Sequence, residues 1–214
     1  MKISLSIPSC RKCAAVVSVI GSLFISGCAT TAVRPTQYPS SAKGWNGIDS
    51  VEFLKEFHLQ NYSRLVVEPL DTSATQLPPK DENTYQPVMG VLKKTDSILL
   101  TEIAQKLKGQ VEVTDQKPDA ASMSQTILLR GKVADIHPGS QAARYWAGFG
   151  AGSAWVKING EIVDAKSNDV LLRFEQQRVG AMGMFGGSYN GLLTDCVVEI
   201  GRDIGRMITL FKAP

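Results

Sequence analysis

Four cysteines and two histidines are the side chains best suited to chemistry in this 214-residue chain. Cys10 and Cys13 form a CxxC pair, a spacing that elsewhere suits zinc or redox chemistry. Both belong to a predicted secretory signal, so we expect them to be removed with it. If Cys28 carries lipid, Cys196 is the one thiol left, and the mature chain can form no intrachain disulfide.

The N-terminus has the pattern of a secretory signal. Lys2, Arg11 and Lys12 provide a positively charged start, and residues 14–25 form an apolar run. A membrane span needs about 20 apolar residues, so this run is too short to be one and matches the core of a signal peptide.

The end of that signal predicts covalent lipid attachment. Ile25-Ser26-Gly27-Cys28 resembles the bacterial lipobox. The resemblance implies cleavage between Gly27 and Cys28, a diacylglycerol thioether on the Cys28 sulfur and an acyl chain such as palmitate on its amine. Several acyl chains give lasting membrane attachment, where a single chain is marginal. Ala29 stands where an Asp would retain a lipoprotein at the inner membrane, so we expect the outer membrane, with the domain facing the periplasm.

Net charge argues against nucleic-acid binding. The formal charge is +3, from 23 basic and 20 acidic residues. The whole excess lies in the predicted signal, and the rest of the chain carries equal numbers of the two signs. A nucleic-acid-binding domain usually has a basic footprint, which this composition does not supply.

No familiar catalytic, cofactor or metal motif stands out. Gly148, Gly150 and Gly152 suggest a nucleotide loop, but Ser153 replaces the third glycine and a strand is predicted to follow. No GxSxG occurs, and residues 187–191 resemble one only superficially. His58 and His137 are not spaced as metal ligands, and we expect surface or capping roles for them. We therefore predict no catalytic, cofactor-binding or metal-binding residues and no enzymatic activity.

The mature sequence predicts a tether followed by one domain. Residues 1–27 are the signal, and residues 28–46 are the lipidated cysteine and a flexible tether rich in Ser, Thr and Pro. Residues 47–214 are a single α+β domain, a two-layer sandwich with a mainly antiparallel sheet of about five strands and two long helices on one face. Strands are expected over residues 64–69, 110–114, 126–136, 154–164 and 170–179, and helices over residues 51–59, 88–107 and 192–211.

The centre of the chain resembles a known family. Residues 130–133 read RGKV, 138–140 PGS, 142–144 AAR, 148–152 GFGAG and 163–165 VDA. This pattern is similar to a family of uncharacterised bacterial lipoproteins, catalogued as a domain of unknown function, over about residues 65–211. The resemblance implies an envelope lipoprotein of similar fold and brings no reaction or catalytic residues.

Two nearly uncharged segments are candidates for an interaction surface. Residues 142–155 and 180–191 combine aromatic, methionine and small residues, and GxxxG spacings recur in both and at Gly201/Gly205. The segments are expected either to form an oligomer, partner or membrane-facing surface or to pack together as internal loops. The candidate interaction residues are Arg144, Tyr145, Trp146, Phe149, Met184, Phe185 and Tyr189.

The sequence thus favours a non-enzymatic envelope lipoprotein whose periplasmic domain binds an envelope protein or self-associates. The alternative is an enzyme or ligand carrier acting on an envelope lipid or glycan. A pocket lined by Arg144, an acid and a histidine would favour that alternative.

Overall fold

The computed structural model describes residues 48–140, 152–180 and 188–211. Within them, six strands form one open sheet in the order β1-β6-β5-β4-β2-β3. The strands are β1 Ser50–Phe53, β2 Arg64–Val67, β3 Glu112–Thr114, β4 Thr126–His137, β5 Ala154–Asp164 and β6 Val170–Gly180. The neighbours β1 and β6, β6 and β5, and β5 and β4 pair antiparallel. β2 pairs parallel with β4 on one side and with β3 on the other. The predicted α+β class and mainly antiparallel sheet are confirmed.

The strand count was wrong by one, and β1 is the reason. We expected a short helix over residues 51–59, but Ser50–Phe53 pairs with β6, and a single 3-10 turn, Leu59–Asn61, follows. Val51 and Phe53 alternate with polar neighbours, which is the two-residue period of a half-buried strand. Pairing with β6 provides hydrogen-bond partners for the backbone N–H and C=O groups of a segment that is too short to be stable as an isolated helix.

Two helices, α1 Tyr85–Leu107 and α2 Tyr189–Thr209, cover one face of the sheet. Their buried side chains join those of the strands in one core cluster, in which Leu99, Ile103, Ile200 and Ile204 are fully buried. Burial of each such side chain contributes about 1.5–3 kcal/mol. As predicted, the periodic apolar faces of both helices meet this core.

Close approach of the two helices depends on Gly201 and Gly205. A Cβ at Gly201 would lie 2.9 Å from the Cβ of Glu102, and one at Gly205 would lie 2.6 Å from the Cβ of Lys106. The GxxxG spacing in α2 therefore serves contact with α1 inside the domain.

Two polar residues stabilise the start of α2 and the turn between β5 and β6. The Ser188 hydroxyl accepts a hydrogen bond from the Gly191 N–H (3.1 Å), so Ser188 caps the N-terminus of α2. Asn168, in the turn between β5 and β6, has φ = 58°, a left-handed conformation that Asn tolerates well. The serine that superficially suggested a hydrolase motif is thus a helix cap.

Candidate functional site

One end of the sheet gathers the ends of several elements, and we call it the loop end. There β4 ends at His137, β5 begins at Ala154 and β6 ends at Gly180, with His137 paired to Trp155 and Ala154 paired to Gly180. The Ser140 N–H donates to the Gly152 carbonyl (3.1 Å), so the chain leaves and re-enters the described region at nearly one point. The opposite end, where residues 166–169 join β5 to β6, is called the turn end.

The start of α2 also lies at the loop end. A Cβ at Gly180 would be 3.3 Å from the Leu192 Cβ, so the first turns of α2 lie against the last residue of β6. Both uncharged segments predicted to interact are therefore flanked by residues of the same end of the sheet.

Three paired side chains cross the outer face of the sheet at the loop end, and we call them the Trp155 row. They are His137, Trp155 and Val179, which are paired across β4, β5 and β6. Ala154 and Val156 point into the helix-covered core, so Trp155 points to the outer face. The His137 and Trp155 rings stack with centroids 4.0 Å apart, and Val179 is 55% exposed. The row forms an apolar and aromatic strip that the described residues leave partly open.

The remainder of the outer face is polar or buried. Lys157 bonds Glu175 at 2.8 Å, and Arg130 bonds Glu68 at 3.0 Å. Nearer the turn end, a small apolar cluster on this face is nearly fully buried; its members are Val66, Leu128, Val163 and Ala165. Among the described residues of this face, exposed apolar surface is thus concentrated in the Trp155 row.

A cleft of about 680 Å³ opens beside the Trp155 row. The loop before α1, the end of β4 and the first residue of α2 line it. Its lining includes Leu77, Pro79, Glu82, Asp135, His137 and Tyr189. Leu77 is 43% exposed, so the loop end carries two of the three large apolar side chains exposed in the described residues; the third is Met123, which precedes β4. The cleft combines apolar walls with two carboxylates and a histidine.

The polar groups of the cleft already have local partners. The His137 Nδ1 accepts the Gly139 N–H (2.9 Å). Asp135 Oδ2 accepts the Trp155 indole N–H (2.7 Å). These bonds orient the stacked rings and agree with the capping role expected for His137.

A buried polar network links α2 to β6 on the helix-covered face of the sheet, near the loop end. Asp203, on the sheet-facing side of α2, is 1% exposed and accepts from Gln176 Nε2 (3.0 Å) and Arg178 Nε (2.7 Å) of β6. Burial raises the pKa of Asp203, an effect that the Arg178 guanidinium opposes. The network continues to the start of β1, where the Asp49 N–H donates to Gln176 Oε1 (3.1 Å).

The remaining candidate residues occupy ordinary structural positions. Cys196 is buried on the apolar face of α2, and burial raises the pKa of its thiol to about 11, so the thiol is neutral and shielded as expected. The side chain of His58 is 44% exposed, in agreement with its expected surface position. Over the described ranges, no three His, Cys, Asp or Glu side chains converge as a possible metal site.

Tyr189 is the predicted interaction residue that the structure places: it begins α2 and lines the cleft. The predicted cleavage and lipidation residues, Gly27 and Cys28, lie outside the described residues, as do Arg144, Tyr145, Trp146, Phe149, Met184 and Phe185. Trp155 ends the predicted segment 142–155 but was not among the individually named candidates, and sequence reasoning missed Val179 and Leu77 as surface residues. An outward-facing Trp at the start of an alternating strand was the available signal. No helix within the described part of the chain is long and apolar enough to span a membrane.

Residues 65–184 match the model of a family described as a domain of unknown function, DUF4410, and the chain belongs to that family. The match confirms the predicted membership of an uncharacterised domain family. No curated protein matches the chain.

Several solved structures are similar in fold. A PelC dodecamer from Paraburkholderia phytofirmans is 13% identical, with a TM-score of 0.43, and the match covers 72% of this chain and 97% of that one. A neuraminyllactose-binding hemagglutinin homolog from Helicobacter pylori is 12% identical, with a TM-score of 0.39 and coverage of 72% and 86%. A DUF330 protein from Xanthomonas campestris is 9% identical, with a TM-score of 0.39 and coverage of 71% and 86%.

Proposed function

We propose that this DUF4410 member is a non-enzymatic lipoprotein of the bacterial cell envelope, anchored at the outer membrane through lipid on Cys28. Its domain faces the periplasm and binds an envelope protein or a second copy of itself. The lipobox-like Ile25-Ser26-Gly27-Cys28 behind a short apolar run supports the anchor. No nucleic acid or resident cofactor is part of this proposal.

The observation that supports the interaction role is that the residues flanking the two uncharged segments lie at the same end of the sheet. Residues 141–151 are flanked by Ser140 and Gly152, which are hydrogen-bonded to each other. Residues 181–187 are flanked by Gly180 and Ser188, at the same end of the sheet. The residues that flank the two segments thus lie at one end of the sheet. We propose that the segments, which combine aromatic and methionine side chains with almost no charge, supply the kind of apolar surface that marks interaction sites.

The anchor is tested with Cys28→Ala in intact cells. We expect the wild-type protein to fractionate with membranes and to carry the mass of its acyl chains, and the variant to lose both. A variant that still sediments with membranes and has the wild-type mass would refute the anchor.

The interaction is tested by cross-linking in intact envelopes. The double variant Trp146→Ser plus Phe185→Ser should lose the cross-linked species of the wild-type protein. Met123→Ser is the matched control, because it removes an exposed apolar side chain far from the loop end. A wild-type domain that stays monomeric and without cross-linked partners, or equal loss in the control, would refute the interaction role.

The cleft favours a second candidate, a carrier or enzyme for an envelope lipid or glycan. Asp135, Glu82 and His137 supply the acids and the histidine that this alternative requires. Native mass spectrometry of the protein extracted from membranes would favour it if a stoichiometric adduct appeared and was lost in Glu82→Gln. An unoccupied cleft after mild extraction would count against it.

A further inference from the structure

The direction of β1 determines where the chain enters the domain. Because β1 is antiparallel to β6 with Ser50 opposite Glu175, the chain before Ser50 runs alongside Gln176 and Gln177 toward the loop end. Asp49 is fixed there, since its N–H donates to Gln176 and its carboxylate accepts the Gln177 N–H (2.7 Å). Ile48 is 5% exposed and belongs to the core. The N-terminal chain is therefore clamped to the domain close to the Trp155 row.

The span expected for the tether is shorter than the sheet, so the point where the chain enters the domain affects how the domain lies relative to the membrane. The composition of residues 28–46 predicts a flexible tether, for which a root-mean-square span of roughly 25 Å is expected. β5 has 11 residues, so the sheet is about 36 Å long from the loop end to the turn end at ~3.3 Å per residue. An anchor attached through such a tether holds the loop end closer to the bilayer than the turn end.

The chemistry of the described surface agrees with that orientation. Trp155 presents an apolar ring while its N–H is satisfied by Asp135, and Val179 and Leu77 are exposed nearby. Tryptophan is enriched where membranes meet water, because its amphipathic ring suits the headgroup level. The turn end instead presents charge, including the Lys55–Asp169 pair at 2.6 Å.

From these observations we infer that the loop end rests on the bilayer that holds the lipid anchor, with the Trp155 row in contact with the headgroup region. The inference rests on the proposed lipid anchor and deepens it by assigning an orientation. In the next paired row of the described sheet, Asp135 and Lys157 carry opposite charges, so the proposed contact does not depend on anionic lipid. A protein partner would then use Tyr189 and the cleft, which borders the row at His137.

The test uses lipidated full-length protein in phosphatidylcholine vesicles, with and without bromine on the acyl chains. Trp45→Phe and Trp146→Phe leave Trp155 as the single tryptophan, since the chain has three. The expected result is loss of Trp155 fluorescence in brominated vesicles. The matched control adds Trp155→Phe and Lys166→Trp, which moves the tryptophan to the turn end, and we expect no quenching there.

The outcomes separate the orientation from the anchor. Protein that floats with the vesicles but shows no quenching of Trp155, or equal quenching in the control, overturns the orientation and leaves the anchor standing. Protein that does not float overturns the anchor itself. Unquenched but blue-shifted Trp155 emission together with cross-linked dimers would assign the row to a second copy and also overturn the inference.

A second variant guards against effects of the tryptophan changes on folding. Val179→Ser, added to the single-tryptophan background, alters an exposed side chain, so the thermal midpoint should not change. We expect it to reduce quenching of Trp155, because it removes apolar contact beside the ring. Unchanged quenching would contradict a contact made by the row.

Discussion

The two ends of the sheet are held in different ways. At the turn end, bonds between near neighbours predominate: Asp164 Oδ1 accepts the backbone N–H groups of Lys166 (2.9 Å) and Ser167 (2.8 Å). At the loop end, local bonds such as that between His137 and Gly139 are joined by a buried long-range network, in which Asp203 of α2 bonds Gln176 of β6. Among the described large apolar side chains of the turn end only Met123 is exposed, beside charged pairs such as Lys55–Asp169, whereas the loop end exposes Val179 and Leu77 and leaves Trp155 half-buried. The difference indicates that one end closes the fold and the other is available for contact.

Asp203→Ala should give the largest effect in this comparison. It leaves the Arg178 guanidinium and the fully buried Gln176 amide without their shared carboxylate, so we expect a loss of about 3 kcal/mol in the free energy of unfolding. Urea denaturation measures the loss. Hydrogen exchange should show faster opening at residues 176–180 than at residues 164–170.

Asp195→Ala is the matched control for that prediction. Asp195 lies on the same helix but is exposed, so its replacement should change stability by less than about 0.5 kcal/mol. If the two variants were equally stable, the buried network would not be what holds the loop end.

The contrast between the ends also explains what the sequence could predict. The β5–β6 hairpin was predicted nearly to the residue, because strand alternation and the polar turn at residues 166–169 are local signals. The Asp203 network was missed, since it requires α2 to lie against β6. Its signal was nevertheless present: Asp203 falls three residues after Ile200 and four before Met207, on the apolar face of the helix. A lone acid on such a face has to find a buried partner.

β1 was missed for a related reason. Four residues with weak alternation cannot be distinguished from a helix without knowing that β6 has a free edge. The Trp155 row likewise depends on the pairing of three strands, which no single segment reveals. Sequence reasoning predicted the layers and the uncharged segments, but long-range pairing determined which residues share the loop end.

Ser188→Ala tests how firmly the loop end holds the start of α2. The variant removes the hydroxyl that accepts the Gly191 N–H, so we expect a loss of about 1 kcal/mol by urea denaturation. Ser188→Asp keeps an acceptor at the same position and should retain most of the stability. Equal losses in both variants would show that the cap does not act through this hydrogen bond.

Tyr62→Phe tests the turn end and should have the smallest effect, with a characteristic pH dependence. The Tyr62 hydroxyl donates to Asp164 Oδ2 (2.9 Å). Burial alone would raise the pKa of Asp164. Hydrogen bonds from Ser167, Tyr62 and Lys166 together lower it by more than burial raises it, so the pKa of Asp164 lies below its usual value of 3.8. Because the folded pKa is below the unfolded one, this stabilisation is present above about pH 4 and is lost as the pH falls through the folded pKa. Burial and the same carboxylate raise the pKa of Tyr62 to about 12, so the stabilisation from this hydroxyl is also lost as the pH rises from about 10 through that value.

We therefore expect Tyr62→Phe to cost somewhat less than about 1 kcal/mol at neutral pH, with the difference from wild type shrinking in acid and in strong base. Urea denaturation over a pH series measures it. Tyr85→Phe is the matched control, because the Tyr85 hydroxyl makes no hydrogen bond to Asp164 and its removal should give a pH-independent change. A Tyr62→Phe difference that stayed constant into acid would mean that the ionised Asp164 is not what the hydroxyl stabilises, and the turn end would then owe its stability to the backbone turn alone.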